Sequence, residues 1–263
     1  MSAKTALALT DVTKHFGGIT VVDRISFDIS GGTRIALIGP NGAGKTTLFN
    51  LISGVFPVDS GSIVLAGAPI ENMPPRLRVR AGLARSFQNI RLMPHLSVIE
   101  NVMLGQHVQV SGLAARLAPI AWQRRSEWKE RALSKLRDAG IDVDPDADVS
   151  TLSYGLRKRI EVVRALMSQP RLLMLDEPAA GLNSRETADL TAFLKSIAQG
   201  GPTLLVVEHD MSFVHELCER TIVLNFGRII YDGPTRGVGG DDEVRAAYLG
   251  RRRIAMTGAS PAA

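Results

Sequence analysis

The sequence predicts an α/β fold built on a mostly parallel sheet. Two short apolar runs, residues 35–38 and 172–175, have the unbroken hydrophobic character of strands that are buried on both faces of a sheet. A third run, residues 204–207, follows a helix-like stretch. Strands that alternate with helical segments are typical of βαβ units, whose strands are parallel.

The first apolar run leads into a glycine-rich loop of the pattern G-x-x-x-x-G-K-[ST], and a helix-like segment follows the loop. The loop consists of Gly39, Pro40, Asn41, Gly42, Ala43, Gly44, Lys45, Thr46 and Thr47. Its glycines let successive backbone N–H groups turn toward one anion, and the helix start adds partial positive charge. Lys45 is placed to reach β- and γ-phosphates, and the Thr46 hydroxyl is placed to bind Mg²⁺. The loop therefore predicts binding of a nucleoside triphosphate.

The second apolar run ends in an acidic pair, Asp176 and Glu177. Open α/β sheets bind their ligands at the carboxyl ends of the strands, where this pair is expected to lie. Asp176 fits the role of a Mg²⁺ ligand, and Glu177 is placed to polarise or deprotonate an attacking water. An acidic pair alone is also typical of a solvated strand end, but together with the phosphate loop it predicts nucleotide hydrolysis.

Three further elements follow one another along the chain. Gln88 ends a strand-like run, Leu-Ser-Tyr-Gly at 152–155 opens a helix-like stretch expected over 157–167, and His209 follows the third apolar run. In this order the sequence resembles the ATP-binding subunits of ABC transporters, from residue 7 to residue 249. The phosphate loop and the acidic pair occur in many families, whereas the serine–glycine signature is specific to this one. The resemblance implies a core with the fold of P-loop nucleotide hydrolases, in its ABC ATPase form.

The resemblance implies a role for each matching residue, with ATP and Mg²⁺ as cofactors. Phe16 matches the aromatic ring that stacks on adenine, although a ring near a turn is also a common core residue. Gln88 resembles the catalytic-site residue that touches Mg²⁺ and water and links the site to the membrane partner. His209 resembles the switch histidine that contacts the γ-phosphate. Ser153 and Gly155 resemble the groups that face the γ-phosphate held by a second subunit.

Two regions depart from the common form of the family. Tyr154 and Leu156 stand where glycine and glutamine are usual. A helix start does not require positive φ, so tyrosine is tolerated there, whereas the leucine loses any hydrogen bond of the amide that it replaces. Asn183 stands where aspartate is usual and, with Glu186 three residues later, it also predicts a capping box.

The resemblance implies a single ABC ATP-binding domain over residues 1–263. Residues 1–88 and 151–250 are expected to form the nucleotide-binding core with its antiparallel β-subdomain. Residues 89–150 are expected to form a helical arm, and residues 251–263 a flexible tail.

Local patterns support this organisation. Apolar residues alternate at positions 7, 9 and 12 and again at 25, 27 and 29, which predicts half-buried strands in the β-subdomain. Ser97 with Glu100 predicts a capping box at the start of the helical arm. The Leu- and Ala-rich residues 109–125 predict an amphipathic hairpin within that arm.

Composition sets broader bounds. The 263 residues, 45% hydrophobic and 22% charged, fit one large globular α/β domain. The single cysteine, Cys218, excludes an internal disulfide, and its apolar neighbour favours a core position. No apolar run reaches the ~20 residues that span a bilayer, and no secretory leader pattern begins the chain, so we expect a cytoplasmic protein. The net charge of +5 is compatible with nucleic acid or an anionic membrane surface as a partner, or simply with an ATP-binding protein beside the cytoplasmic leaflet.

Together, the extended middle segment and residues 16–18, 177–183 and 247–250 resemble one group within the family, the branched-chain amino-acid importers. That resemblance implies an ATP-hydrolysing motor, peripheral on the cytoplasmic face of the inner membrane. Its implied partners are a second ABC ATPase subunit in a homo- or heterodimer, two transmembrane permease subunits and, indirectly, a periplasmic solute-binding protein. Closely similar subunits serve urea or short amides, so such a cargo is the alternative.

Two classes that act on nucleic acid share some of these features. Chromosome-maintenance ATPases share the signature and the basic charge, but they carry a coiled-coil insertion that the stretch between Lys45 and Asp176 cannot hold. Translation factors of the ABC type carry two ATP modules, whereas this sequence has one phosphate loop. We therefore expect no nucleic-acid partner, and salt-sensitive binding to DNA or RNA would contradict that expectation.

Overall fold

The computed structural model describes residues 4–86, 90–106 and 118–248, and only the backbone of residues 118–125. The strands are β1 (Thr5–Phe16), β2 (Ile19–Ser30), β3 (Arg34–Ile38), β4 (Ser60–Leu65), β5 (Ala68–Pro69), β6 (Leu83–Arg85), β7 (Leu172–Asp176), β8 (Thr203–Val207), β9 (Arg220–Asn225) and β10 (Arg228–Pro234). The helices are α1 (Lys45–Ser53), α2 (Pro75–Arg80), α3 (Val98–Leu104), α4 (Ala118–Asp138), α5 (Tyr154–Leu166), α6 (Ser184–Ala198), α7 (Met211–Leu217) and α8 (242–248).

The larger sheet has the strand order β10-β9-β3-β8-β7-β6. Strands β9, β3, β8, β7 and β6 are parallel, and β10 pairs antiparallel with β9. The carboxyl ends of the parallel strands therefore open on one edge of the sheet, where ligands bind in such folds. The predicted mostly parallel sheet is confirmed, and β8 lies between the strands that carry the phosphate loop and the acidic pair.

Other elements of the fold cover both faces of this sheet, and for this reason its strands are unbroken apolar runs in the sequence. In β8, Leu204 and Val206 pack into a cluster with α5, α6 and α7. Leu205 and Val207 pack into a second cluster, which contains α1 and the inner face of the smaller sheet. Successive side chains of a strand point to opposite faces, so one short strand contributes to both cores.

The smaller sheet is antiparallel, with the strand order β2-β1-β4-β5. In β2, the buried residues Ile25, Phe27 and Ile29 alternate with exposed ones. This is the alternation expected of a sheet with one face on the core and one in solvent. The predicted antiparallel β region is confirmed.

A buried arginine anchors the helix that follows the phosphate loop. Arg78 is only 2% exposed. Its guanidinium donates to the carbonyls of Leu51 and Ile52 at the end of α1, at 2.6 and 2.9 Å, and to those of Met73 and Glu71. The last carbonyls of a helix have no hydrogen-bond partner within the helix and carry partial negative charge. A buried cation there supplies the missing hydrogen bonds and offsets that charge. The phosphate-loop helix is thereby fixed at the end opposite the loop.

The predicted helix signals are present in the described residues. Capping boxes form at Ser97–Glu100 and at Asn183–Glu186. Helix α5 begins at Tyr154, three residues before the predicted start, because the Ser153 side chain caps it by accepting from the Leu156 N–H. The predicted hairpin over residues 109–125 lies largely outside the described residues.

The single cysteine lies in the core. Cys218 is 5% exposed, and burial raises the pKa of its thiol to about 12, so the side chain packs as a small apolar group, as predicted. Within the described ranges, none of the helices has both the length and the apolar character that crossing a bilayer requires.

Candidate active site

The phosphate loop connects β3 to α1, and two of its glycines are required by close packing. A Cβ on Gly39 would lie 2.2 Å from the Leu224 carbonyl oxygen, and a Cβ on Gly44 would lie 2.7 Å from that of Val21. Both glycines also have positive φ, 149° and 102°. Strands β9 and β2 therefore press directly against the backbone of the loop.

Lys45 and Thr46 occupy the start of α1. The Lys45 ammonium donates to the carbonyls of Gly39 and Pro40, at 2.5 and 3.1 Å, so it folds back over the loop. From this position it can exchange carbonyl contacts for phosphate oxygens. Thr46 is exposed beside it, at the positive end of the helix dipole. The loop thus presents a cation, a hydroxyl and a helix N-terminus together.

Asp176 ends β7 and pairs with an arginine from the neighbouring strand. The Nη2 atom of Arg85 lies 2.8 Å from Oδ2 of Asp176, and each side chain is 11% exposed. Through Nη1, Arg85 also donates to Asn50 and Ser53 on α1, at 2.7 and 3.0 Å. One guanidinium therefore joins the end of β7 to the phosphate-loop helix. Sequence reasoning missed Arg85, whose only signal was its position in a strand-like run just before Gln88.

Glu177 follows Asp176 in a left-handed backbone conformation, with φ of 48°. A non-glycine residue there costs on the order of 1 kcal/mol or more and persists only where its surroundings hold it. Its N–H donates to the Val207 carbonyl at 2.9 Å. Its carbonyl accepts from the Ala180 N–H at 3.2 Å and from the Lys158 ammonium at 3.1 Å. The turn that carries the glutamate is therefore fixed on both sides.

His209 lies just beyond the end of β8, with a side chain that is 69% exposed. Its neighbour Glu208 is 1% exposed and accepts from the backbone N–H groups of Ala179, at 2.7 Å, and His209, at 3.1 Å. Burial raises the pKa of the Glu208 carboxyl, although these hydrogen bonds act against the rise. Glu208, which sequence reasoning did not single out, ties the histidine to the segment that follows Glu177.

The signature at the start of α5 packs against the segment that follows the acidic pair. The Gly155 N–H donates to Oε1 of Glu186 at 3.2 Å, and a Cβ on Gly155 would lie 2.8 Å from that oxygen. The Tyr154 ring lies against Gly181, where an added Cβ would be 3.2 Å from Cε1 of the ring. The tyrosine that departs from the common signature thus fills space beside a glycine with φ of 79°.

Phe16 stands at the end of β1, with 39% of its surface exposed. The Phe56 ring packs edge-on against it, with centroids 5.3 Å apart, and the Lys14 ammonium lies 5.4 Å from its centroid. Lys14 in turn pairs with Asp59 at 2.6 Å. A half-exposed ring held by a second ring is suited to stacking on a planar base.

Most of the predicted site residues lie at the carboxyl edge of the larger sheet or on the helix start that packs beside it, whereas Phe16 ends β1 in the smaller sheet. The phosphate loop, the acidic pair and His209 follow the parallel strands β3, β7 and β8. Tyr154 and Gly155 contact the segment after the acidic pair, and Ser153 caps the same helix start. Gln88 lies outside the described residues. The roles of these residues in ATP binding and hydrolysis remain predictions.

Comparison with known proteins places this geometry in a family. The family model described as ABC transporter matches residues 22–180. The chain is 35% identical over 252 residues to the high-affinity branched-chain amino acid transport ATP-binding protein BraF of Pseudomonas aeruginosa, covering 94% of this chain and 99% of BraF. It is 36% identical over 248 residues to LivG of Escherichia coli K12, a protein with the same description, covering 93% and 97%.

Solved structures agree with these relatives. A nucleotide-free ATP-binding cassette from an ABC transporter matches with a TM-score of 0.82 and 26% identity, covering 93% of this chain and 98% of that one. A cassette in its ADP conformation also has a TM-score of 0.82, with 27% identity and coverage of 94% and 99%. The resemblance drawn from the motifs is confirmed: this chain belongs to the ABC transporter family and is one of its ATP-hydrolysing, ATP-binding cassettes.

Proposed function

We propose that this chain is the motor subunit of a membrane importer for branched-chain amino acids, acting peripherally on the cytoplasmic face of the inner membrane. The observation that carries this proposal is similarity over more than nine-tenths of the chain to BraF and LivG, whose descriptions name that transport. We further propose that residues 1–263 form a single domain, with a helical arm over residues 89–150 and a tail over residues 251–263.

ATP binds, in this proposal, with its phosphates on residues 39–47 and its adenine against Phe16. The donors fit Mg²⁺, because the Thr46 hydroxyl and the Asp176 carboxylate are the hard oxygens that this ion prefers. Arg85 holds Oδ2 of Asp176 and so fixes the direction of the other carboxylate oxygen. Gln88 is proposed as a further ligand. When bound, Mg²⁺ neutralises part of the charge on the phosphate oxygens.

In hydrolysis, the oxygen of a water attacks the γ-phosphorus. The bond between that phosphorus and the oxygen that bridges the β- and γ-phosphates breaks, and ADP leaves. Glu177 acts as general base and takes a proton from that water. The fixed backbone turn at Glu177 keeps its carboxylate pointing in one direction. His209 contacts the γ-phosphate, and Lys45 stabilises the charge on the β- and γ-phosphates. Each of these groups follows one of three neighbouring parallel strands, so the rigid sheet sets their spacing.

A second ATPase subunit completes each site. Ser153 and Gly155 of one subunit are proposed to face the γ-phosphate held by the other, because a helix start offers backbone N–H groups to an anion. ATP binds the closed pair more tightly than the open pair, so binding shifts the population toward closure. Closure moves two permease subunits, which receive the amino acid from a periplasmic binding protein.

Uptake of labelled leucine, isoleucine and valine tests the proposed cargo. Cells that lack this chain are expected to lose that uptake, and expression of the wild-type chain is expected to restore it. Expression of the Glu177→Gln variant to the same level is the matched control and should not restore uptake. Loss of urea or short-amide uptake in these cells, with amino-acid uptake intact, would contradict the proposal that the cargo is a branched-chain amino acid.

The contact between Glu186 and Gly155 yields a separate prediction. Glu186→Gln removes a negative charge beside the N–H that is proposed to face the partner's γ-phosphate. The glutamine still serves as the third residue of the capping box, so the helix start is retained. Because Glu186 is half-exposed, the gain is modest, and ATP-driven dimerisation should strengthen about two- to fivefold.

Sedimentation in the Glu177→Gln background, at a series of ATP concentrations, measures this effect. Glu216→Gln is the matched control, because that glutamate is exposed on α7 and pairs with Lys195. Weaker dimerisation of the Glu186→Gln variant would show that the carboxylate orients the signature rather than competing with phosphate.

A further inference from the structure

A lysine is buried one turn into the signature helix. Lys158 is 5% exposed, although a lysine is almost never fully buried without a compensating partner. Burial lowers the pKa of its ammonium, and the carboxylates of Glu208, Glu161 and Glu177 act in the opposite direction. The fold thus places this lysine in its interior, where carboxylates from several segments of the chain favour its charged form against the effect of burial.

The contacts of Lys158 join parts of the site that are far apart in sequence. Its ammonium donates to the Glu177 carbonyl at 3.1 Å and lies 5.4 Å from the centroid of the Tyr154 ring. Tyr154 packs against Gly181, and Glu208 accepts from the Ala179 N–H. The lysine therefore lies between the start of the signature helix and the segment that carries the acidic pair.

The atom that Lys158 binds belongs to a strained residue. Glu177 has φ of 48°, and the orientation of its carboxylate depends on that left-handed turn. The N–H side of the residue is held by the Val207 carbonyl in the rigid sheet. On the carbonyl side, the Lys158 ammonium supplies a side-chain donor at 3.1 Å. A charged donor makes this the stronger of the two contacts to that carbonyl.

We propose that Lys158 is a positioning residue for hydrolysis, which holds the backbone of Glu177 so that its carboxylate points at the attacking water. This inference rests on the proposed role of Glu177 as general base. It also links the two ATP sites of a dimer, because Lys158 lies on the helix whose start faces the ATP of the partner. A shift of that helix is passed through the lysine to the catalytic turn of the same chain.

Three substitutions test the role of Lys158. Lys158→Met removes the donor and the charge while keeping an unbranched apolar chain, and single-turnover hydrolysis should fall at least about tenfold, since small misplacements of a reacting group are that costly. The ATP dissociation constant should stay within about twofold, because no phosphate-binding residue changes. Lys158→Arg keeps a cationic donor and should retain most of the rate. Lys195→Met, at a half-exposed helix lysine, is the matched control.

A purely structural lysine would give a different pattern. Its replacement by methionine would lower the unfolding temperature without changing the hydrolysis rate of the folded protein. If Lys158→Met does not fold, the comparison of Lys158→Arg with Lys158→Gln decides, because the positioning role requires the arginine variant to be the faster of the two.

The decisive measurement combines Lys158→Met with Glu177→Gln. If the lysine acts through the glutamate, the double variant should hydrolyse ATP no more than about twofold more slowly than Glu177→Gln alone. Additive losses would overturn the positioning role while leaving the proposed function intact. Normal hydrolysis by Glu177→Gln alone would contradict the assignment of Glu177 as general base, and with it the proposed role of Lys158.

Discussion

Glu177→Gln is expected to bind ATP normally and to hydrolyse it at least about a hundredfold more slowly, as is usual when a general base is removed. Glutamine has nearly the same size and keeps the backbone contacts with Val207, Ala180 and Lys158, which involve only main-chain atoms of residue 177. The variant should therefore stay folded and form a stable ATP-bound dimer. Single-turnover cleavage of labelled ATP, with dimerisation followed by sedimentation, measures both effects.

The control for this substitution is Glu216→Gln, which makes the same chemical change at an exposed position on α7. It should cleave ATP at the wild-type rate. Near-wild-type cleavage by Glu177→Gln would exclude Glu177 as the general base. Loss of ATP binding by this variant would also contradict the assignment, because no phosphate contact is proposed for the Glu177 side chain.

Lys45→Ala is expected to weaken ATP binding about ten- to hundredfold. A hydrogen bond from a charged donor contributes about 1.5–3 kcal/mol, and each 1.4 kcal/mol changes a dissociation constant tenfold. In the structure the ammonium contacts the Gly39 and Pro40 carbonyls, so the alanine variant also loses two contacts within the loop. Equilibrium binding of a fluorescent ATP analogue measures the affinity.

Thermal unfolding without nucleotide separates loosening of the loop from loss of a phosphate contact. A small shift in unfolding temperature together with a large loss of affinity supports the phosphate role. Lys135→Ala, at an exposed position of α4, should change neither quantity. Unchanged ATP affinity in the Lys45→Ala variant would contradict the role assigned to the phosphate loop.

Much of the fold could be predicted because its signals are local. The period of apolar residues distinguishes the doubly buried strand β8 from the half-buried strand β2. The capping boxes at Ser97 and Asn183 involve residues only three positions apart, so the sequence contains both partners. The same applies to the phosphate loop, whose glycines, lysine and threonine are contiguous.

The contacts that sequence reasoning missed join residues far apart in the chain. Arg85 meets Asp176 across 91 positions, and Gly155 meets Glu186 across 31. In the sequence, Lys158 resembles the other cations of an amphipathic helix. Only the packed structure shows that it is buried against Glu177. Which polar side chains meet depends on strand order and helix packing, and these are decided by the whole core rather than by any short segment.

Short segments of the sequence were enough to predict the helices and strands, their caps and the candidate nucleotide-binding residues, because backbone propensities and motif chemistry act over a few positions. The packed structure was needed to show that β8 separates the two nucleotide motifs and that Arg85 holds Asp176. The packed structure also shows a buried lysine that ties the signature helix to the Glu177 turn. Burial and long-range pairing arise only when both faces of the sheet are covered, so they are properties of the packed chain.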